Sequence, residues 1–189
     1  NMKIAIIGLG FVGLTFASVL ASKGFKVIGI DIDIKKSRQI ADGIPPFYED
    51  DLEKTLKIGL KKNLAITNNF SSIIDCDVIF ITVGTPQKKD GSIELAMIKR
   101  AVTVIGKTIS KTRKNPIILV KSTVTPGTMQ HVIRPILEKQ SGKKAGKDFG
   151  LISNPEFLQE SSAIKDTKFP HVIVLGGYQT KFMSKMKKI

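Results

Sequence analysis

The stretch Lys3-Ile-Ala-Ile-Ile-Gly-Leu-Gly-Phe-Val-Gly13 decides the fold of this chain. Its apolar first half is typical of a buried strand, and Gly8, Gly10 and Gly13 follow in a G-x-G-x-x-G pattern. Apolar and small residues continue from Leu14 to Leu20, which predicts a helix. Strand, glycine turn and helix in this order are typical of a dinucleotide-binding turn. There the first glycine permits the tight turn, the second lets the backbone approach a pyrophosphate, and the third lets helix and strand pack closely.

A second strand strengthens this interpretation. Residues 26–31 read Lys-Val-Ile-Gly-Ile-Asp, and Asp31 stands eighteen residues after Gly13, close to the roughly 20 that the dinucleotide pattern expects. The helix N-terminus would offer unpaired N–H groups and the positive end of a dipole to the phosphates. The alternative is a glycine-rich turn that binds nothing, and the number of matching features favours a binding turn.

Strands and helices alternate along the rest of the chain. The pattern predicts further strands at 64–67, 77–83, 117–120, 149–153 and 172–175, and further helices at 33–41, 50–60, 94–109 and 128–139. This alternation predicts a Rossmann-type α/β fold, a doubly wound and mostly parallel sheet with helices on both faces. Ligands of such sheets bind beyond the carboxyl ends of the strands. Loops 8–13, 84–91 and 122–127 follow three of these ends and predict a single crevice.

Size and composition favour one α/β domain. The chain has 189 residues and a hydrophobic content of 42%. No apolar run approaches the roughly 18 residues of a membrane span, so no membrane association is predicted. The sequence opens on a core strand without a signal-peptide pattern, and Cys76 is its single cysteine. We therefore expect a cytoplasmic protein without a disulfide or a bound metal.

The net charge of +14 at pH 7 lies mostly after residue 100. Basic clusters at 107–114, 139–147 and 181–188 could favour polyanions or phosphorylated small molecules. The alternative is a set of solvated helix ends and loops. We favour this alternative because aromatic residues are sparse among the lysines and no nucleic-acid-binding module is present. No specific nucleic-acid partner is predicted.

Four motifs together resemble a known family. They are Gly8-Leu-Gly-Phe-Val-Gly-Leu14, Gly84-Thr-Pro-Gln-Lys-Lys-Asp-Gly91, Lys121-Ser-Thr-Val-Thr-Pro-Gly-Thr128 and Ser153-Asn-Pro-Glu-Phe-Leu-Gln-Glu160. The combination is similar to the N-terminal NAD-binding domain of the UDP-glucose/GDP-mannose dehydrogenase family. Members use two NAD molecules to oxidise the C6 hydroxyl of a nucleotide sugar to a carboxylate, through a cysteine thiohemiacetal and thioester. The resemblance also implies a role in polysaccharide biosynthesis.

The resemblance implies a division of the chain and a set of site residues. Residues 1–177 would form the NAD-binding domain, and residues 178–189 would start a truncated connecting helix, with the central helix and the C-terminal substrate domain absent. The cofactor residues would be Gly8, Leu9, Gly10, Phe11, Val12 and Gly13 at the pyrophosphate, Asp31 and Lys36 at the adenosine ribose, Thr85 and Pro86 in the cleft, and Ser122, Thr123 and Glu160 near the nicotinamide. Glu156 would be the catalytic acid/base, and Thr123 would help to position the catalytic water. The nucleotide-sugar substrate would contact Glu156, Phe157, Leu158, Gln159 and Glu160.

Chemistry supports the catalytic assignments, but each has a structural alternative. Hydride loss from an alcohol requires proton removal, which a positioned carboxylate, or a water held by Thr and Glu, can provide. Glu156 could instead be a charge at a helix N-terminus. Glu160 could lie on a solvated helix face, and Thr123 could cap a turn.

The rest of the family's catalytic machinery would lie beyond Ile189. Its nucleophilic cysteine and its catalytic Lys, Asn and Asp have no counterpart here, and Cys76 is expected to be a buried small hydrophobe. His171-Val172 stands where the UDP-glucose branch often has Asp-Arg, which leaves the sugar open. Two alternatives remain. One is a dehydrogenase of another substrate, such as an N-acetylated sugar nucleotide or a 3-hydroxyacid, and the motif at residues 153–160 argues against the hydroxyacid. The other is a non-catalytic dinucleotide-binding module. The full-length protein is expected to be a homo-oligomer.

Overall fold

The computed structural model describes residues 2–177 and 180–186, and its centre is a six-stranded sheet. The strands are β1 (Lys3–Ile7), β2 (Lys26–Ile30), β3 (Leu64–Thr67), β4 (Val78–Ile81), β5 (Ile117–Val120) and β6 (Gly150–Ser153). The helices are α1 (Phe11–Ser22), α2 (Ile34–Ala41), α3 (Leu52–Lys62), α4 (Ala96–Ile109), α5 (Arg134–Ser141), α6 (Ala163–Lys168) and α7 (Thr180–Met186). A 3-10 turn, Phe70–Ile73, and a π-helical turn, Met129–Ile133, complete the described elements.

The strand order is β3-β2-β1-β4-β5-β6, and every pairing between these strands is parallel. This is the doubly wound topology of dinucleotide-binding folds, so the predicted fold class is confirmed. β1 lies between β2 and β4, where the direction of winding reverses. Ile7, the last residue of β1, is in register with Ile30 and Ile81, the last residues of its two neighbours. The carboxyl ends of three strands therefore meet at the switch point.

Each face of the sheet buries its own hydrophobic core. Ile4 and Ile6 of β1 face a core shared with α1, whereas Ala5 and Ile7 face a second core shared with α4. The central strands are apolar on both faces because helices cover both sides of a parallel sheet. The continuous apolar run at the start of the sequence reflects this double burial.

One predicted strand is absent. Residues 172–175 have no regular structure, and they were predicted as a strand because of their apolar sequence. Ser153 and Gly176 form a single antiparallel bridge, and the side-chain amide of Asn154 donates to the carbonyl oxygen of Val174. One bridge and one side-chain bond hold this segment beside β6, but Ile173 stays 64% exposed. Apolar composition alone was therefore misleading.

Several helices begin at other residues than the sequence predicted, each for a local reason. α3 begins at Leu52, after Asp51, whose backbone is left-handed with φ at 59°. α4 begins at Ala96, where the carboxylate of Glu94 accepts the N–H of Ala96. The predicted helix 128–139 is a π-helical turn followed by α5. Pro135 has no N–H to donate to a preceding carbonyl, which accounts for the irregular first part.

The C-terminal helix packs against the domain. Phe182 of α7 is fully buried, and a Cβ placed on Gly150 would lie 2.7 Å from its side chain. The predicted helix was expected to begin at Tyr178, which lies outside the described residues. Among the helices within residues 2–177 and 180–186, none is long and apolar enough to cross a bilayer.

Candidate functional site

The glycine turn is closed by contacts that leave no room for side chains at two of its glycines. Gly8 has φ at 96°, a left-handed conformation that favours glycine. A Cβ on Gly13 would lie 1.8 Å from the carbonyl oxygen of Gly8 and 2.6 Å from Oγ1 of Thr82. Thr82 donates from that hydroxyl towards the carbonyl oxygens of Gly8, at 2.7 Å, and Ile7, at 3.0 Å. The turn therefore brings α1 against β1, as the glycine spacing predicted.

Gly10 differs from its two neighbours in the motif. It is the residue before α1 and provides no side-chain cap, and a Cβ placed on it would meet nothing within 4 Å. The first N–H groups of a helix have no carbonyl partner within the helix. Open space beside such amides suits a phosphate, and Gly10 is the place where a ligand could approach the backbone. Phe11 and Val12 continue this surface and are partly buried, whereas the side chain of Leu9 is buried in the core.

Asp31 is fixed directly against the glycine turn. Only 6% of it is exposed, and Oδ2 accepts the N–H of Leu9 at 2.7 Å. Oδ1 accepts the N–H of Asp33 at 3.0 Å, and Nζ of Lys36 lies 2.6 Å from Oδ2. The charge is thus buried with partners, as a buried carboxylate requires. The structure brings Asp31, Lys36 and the turn together, and a ribose diol is the group that such a carboxylate binds in this fold.

The loops after β4 and β5 are tied to each other. Oγ1 of Thr85 donates to the carbonyl oxygen of Thr123 at 2.8 Å, and Oγ of Ser122 donates to that of Val83 at 2.7 Å. Thr123 and Pro86 are exposed, so both border open space at this edge. The single crevice predicted from the three loops is consistent with these cross-links.

The segment from Glu156 to Glu160 follows β6 at the same edge. The N–H of Asn154 donates to the carbonyl oxygen of Val120 at 2.8 Å, which anchors the segment beside β5. Residues 154–159 are irregular, and Oε2 of Glu156 accepts the N–H of Leu158 at 2.6 Å. Glu156 is therefore not at a helix N-terminus, and the exposed Glu160 is not on a helix face. The two structural alternatives for these glutamates are both wrong.

A cavity of about 570 Å³ opens beside this segment. Phe16, Lys121 and residues 154–159 are among the residues that line it. Nζ of Lys121 lies 3.5 Å from Oδ1 of Asn154 and 5.1 Å from the centre of the Phe16 ring. Burial lowers the pKa of Lys121, and the negative charge of Glu156 opposes that shift. A half-buried ammonium group is thus held between Asn154 and the Phe16 ring, within the electrostatic influence of Glu156.

Cys76 lacks the properties of a nucleophilic cysteine. It is 1% exposed, and burial raises the pKa of its thiol to about 11. A nucleophilic cysteine needs a thiolate in an accessible, electropositive site. Within the part of the chain that the structure describes, no three His, Cys, Asp or Glu side chains cluster as a metal site would require.

Sequence reasoning missed three residues that contact the site: Thr82, which bonds the turn, Lys121 beside Asn154, and Glu49. Thr82 and Lys121 each follow a buried strand directly, which was a usable signal. Glu49 had no local signal, because its partners lie more than a hundred residues later, at Ser161 and Ala163.

Comparisons with known proteins agree with the family resemblance of the four sequence motifs. The profile of the UDP-glucose/GDP-mannose dehydrogenase family, NAD binding domain, matches residues 2–189. The GDP-mannose 6-dehydrogenase of Pseudomonas aeruginosa is 44% identical over 177 residues, which cover 93% of this chain and 41% of that protein. The UDP-glucose 6-dehydrogenase of Haloferax volcanii is 37% identical over 175 residues, with the same two shares of 93% and 41%.

Solved structures match equally well. A ternary complex of GDP-mannose dehydrogenase from Pseudomonas aeruginosa superposes with a TM-score of 0.96 at 41% identity, over 99% of this chain and 43% of that one. The UDP-glucose dehydrogenase of Pyrobaculum islandicum superposes with a TM-score of 0.92 at 32% identity, over 98% and 43%. The chain therefore spans less than half the length of these relatives.

Proposed function

Because this chain belongs to the UDP-glucose/GDP-mannose dehydrogenase family, we propose that it is the NAD-binding half of a nucleotide-sugar 6-dehydrogenase that oxidises a sugar C6 hydroxyl to a carboxylate with two NAD molecules. The observation that carries this proposal is the contact between Asp31 and the N–H of Leu9. Through this hydrogen bond, the carboxylate that would bind the ribose touches the turn that would bind the phosphates. A glycine-rich turn without a ligand would not need a buried carboxylate at this point.

The residues present fit NAD. The open space beside Gly10 and the amides that begin α1 would hold the pyrophosphate, together with the backbone of Gly8, Leu9, Phe11, Val12 and Gly13. Asp31 would accept hydrogen bonds from the adenosine ribose, with Lys36 beside it. Thr85, Pro86, Ser122, Thr123 and Glu160 would line the cleft towards the nicotinamide. NAD supplies the hydride acceptor when it is bound.

The segment Glu156–Glu160 would bind the nucleotide sugar and would supply proton transfer. Glu156 is the acid/base candidate, because its carboxylate lies at the carboxyl edge of β6 and Lys121 stands near it. Thr123 would hold the catalytic water. Phe157 is 59% exposed and offers an apolar surface to the substrate, beside Leu158 and Gln159.

The remaining parts of the proposal concern the longer protein. The cysteine nucleophile would come from sequence beyond this chain, because Cys76 is buried and its pKa is raised. We further propose a homo-oligomeric, cytoplasmic enzyme whose nucleotide uronic acid product feeds polysaccharide biosynthesis. The single buried thiol supports a reducing compartment. Residues 1–177 would be the NAD-binding domain proper, and α7 would begin the connecting helix.

The test has two parts. Calorimetric titration of the 189-residue chain should show NAD binding, and absence of binding would reject the cofactor assignment. NADH formation is then followed with GDP-mannose, UDP-glucose and UDP-N-acetylmannosamine. The chain alone should not turn over these substrates, whereas the chain joined to a cysteine-bearing C-terminal half should oxidise one of them. Sustained turnover by the chain alone, also in a Cys76→Ser variant, would mean that it has a complete mechanism of its own. NAD binding without turnover in the joined protein would favour the non-catalytic module.

A further inference from the structure

Glu49 is a buried carboxylate that connects two distant parts of the chain. It is 6% exposed and lies in the irregular segment between α2 and α3. Oε2 accepts the N–H of Ser161 at 2.9 Å, and Oε1 accepts the N–H of Ala163 at 2.8 Å. Hydrogen bonds from backbone amides to an ionised carboxylate are among the stronger ones in proteins. Both oxygens of Glu49 therefore hold the chain just after Glu160.

The same segment also contacts the cofactor side of the crevice. The ring of Phe47 packs on that of Phe11, with 5.5 Å between the ring centres. The side-chain amide of Gln39, on α2, donates to the carbonyl oxygen of Pro45 at 3.0 Å. The segment 44–51 thus contacts the glycine turn through Phe47 and residues 161–163 through Glu49.

The backbone at Ser161 needs such a support. Its φ is 68°, a left-handed conformation that is unfavourable for residues other than glycine. The residue follows Glu160 directly, so this turn sets the direction in which the chain passes from residues 156–160 into α6. Asp166 adds a local clamp, since Oδ2 accepts from the N–H of Gln159 and from Oγ of Ser162. Glu49 ties the turn at Ser161 to the segment that packs beside the glycine turn.

We propose that Glu49 is a positioning residue that fixes the 156–160 segment relative to the glycine turn, so that Glu156 and Glu160 face the nicotinamide end of the site. This role rests on the proposed function. Glu49 touches neither ligand and acts through the two amides at Ser161 and Ala163.

The discriminating variant is Glu49→Gln. It retains one acceptor oxygen but turns an NH₂ group towards a backbone N–H, so one of the two bonds is lost with little change in volume. The matched control is Glu53→Gln, which neutralises an exposed glutamate of α3 that pairs with Lys57. Both variants change the charge equally, only four residues apart.

Two readouts decide the matter. Amide hydrogen exchange at Ser161 or Ala163 should become at least about tenfold faster in Glu49→Gln and stay unchanged in Glu53→Gln, as expected for loss of a charge-assisted bond. In the joined enzyme, kcat should fall by about tenfold or more while KM for NAD stays within about twofold, because the segment moves but the cofactor turn does not.

Three results would overturn the role of Glu49. They are unchanged exchange at both amides, faster exchange with wild-type kcat, and a parallel loss of NAD binding, kcat and thermal stability, which would indicate a purely structural residue. The proposed function fails separately, when the wild-type chain does not bind NAD; the exchange measurement on the same chain would then still report whether Glu49 holds residues 161–163.

Discussion

Replacing Gly13 by alanine tests the tightest contact in the cofactor turn. The new Cβ would lie 1.8 Å from the carbonyl oxygen of Gly8, far inside van der Waals distance. Overpacking a core costs about 1–3 kcal/mol when side chains can move aside. Here the opposing atom belongs to the backbone and accepts a hydrogen bond from Thr82, so the turn cannot yield without losing that bond. We therefore expect a loss at or above the upper end of this range, about 3 kcal/mol or more, in the free energy of unfolding.

Thermal unfolding followed by circular dichroism measures this loss. For domains of this size each kcal/mol shifts the midpoint by roughly 2–4 °C, so Gly13→Ala should melt about 6–12 °C below the wild type. Gly10→Ala is the matched control, because a Cβ there meets nothing within 4 Å. Alanine is a poorer residue than glycine before a helix, which costs at most about 1 kcal/mol. Gly10→Ala should therefore remain folded but lose at least about tenfold in NAD affinity, since the methyl group occupies the path of the pyrophosphate.

Two results would refute the reasoning. A Gly13→Ala variant that melts within about 2 °C of the wild type would show that the turn is not closed as described. A Gly10→Ala variant that binds NAD with wild-type affinity would show that the phosphate does not approach this backbone. Both titrations use the same calorimetric conditions, so the two glycines separate stability from binding.

Three further predictions concern charge. NAD should bind more tightly than NADP, because Asp31 would accept a hydrogen bond from a 2′-hydroxyl and repel a 2′-phosphate. Calorimetry with both cofactors measures this, and Asp31→Asn should narrow the difference in affinity between NAD and NADP. Equal affinities for the two cofactors in the wild type would contradict the prediction. Burial raises the pKa of the Cys76 thiol to about 11, so the stability that the neutral thiol contributes is present below about pH 9 and is lost as the pH rises towards 11. Chemical denaturation should therefore show that the free energy of unfolding falls more steeply with alkaline pH in the wild type than in Cys76→Ala. Identical slopes in the two proteins would count against burial of the thiol. The basic clusters should bind nucleic acid only weakly and without sequence preference, so submicromolar, sequence-dependent binding in an anisotropy titration at physiological salt would favour an interaction module instead.

The cofactor turn could be predicted from sequence because its constraints are local. Gly8 and Gly13 are required by the turn itself. The predicted strand at 26–31 ends at Asp31, which places this acid at the end of the strand next to β1 in a parallel sheet. The register of Ile7 with Ile30 then brings Asp31 to the N–H of Leu9. The positions of Gly8, Gly13 and Asp31 could therefore be predicted from their spacing and from the order of the strands.

The substrate side could not be predicted in the same way. Residues 172–175 have the composition of a strand but are held by one bridge and by the side chain of Asn154. Local patterns give the elements, whereas the contacts between distant segments depend on the tertiary structure.

This difference also explains why the sequence did not identify the sugar of the nucleotide-sugar substrate. The cofactor turn is built from the backbone, so a change at Gly13 disturbs binding and folding together. The chain around residues 156–160 is instead held by side chains from elsewhere: Asp166 accepts the N–H of Gln159, and Glu49 accepts the N–H groups of Ser161 and Ala163 just after the segment. A segment anchored in this way can change its own side chains without changing the fold. Relatives that act on GDP-mannose and on UDP-glucose accordingly share this architecture with TM-scores of 0.96 and 0.92. Under the proposed function, the choice of sugar should therefore lie in the exposed side chains of this segment and in the C-terminal half of the enzyme, and not in the sheet.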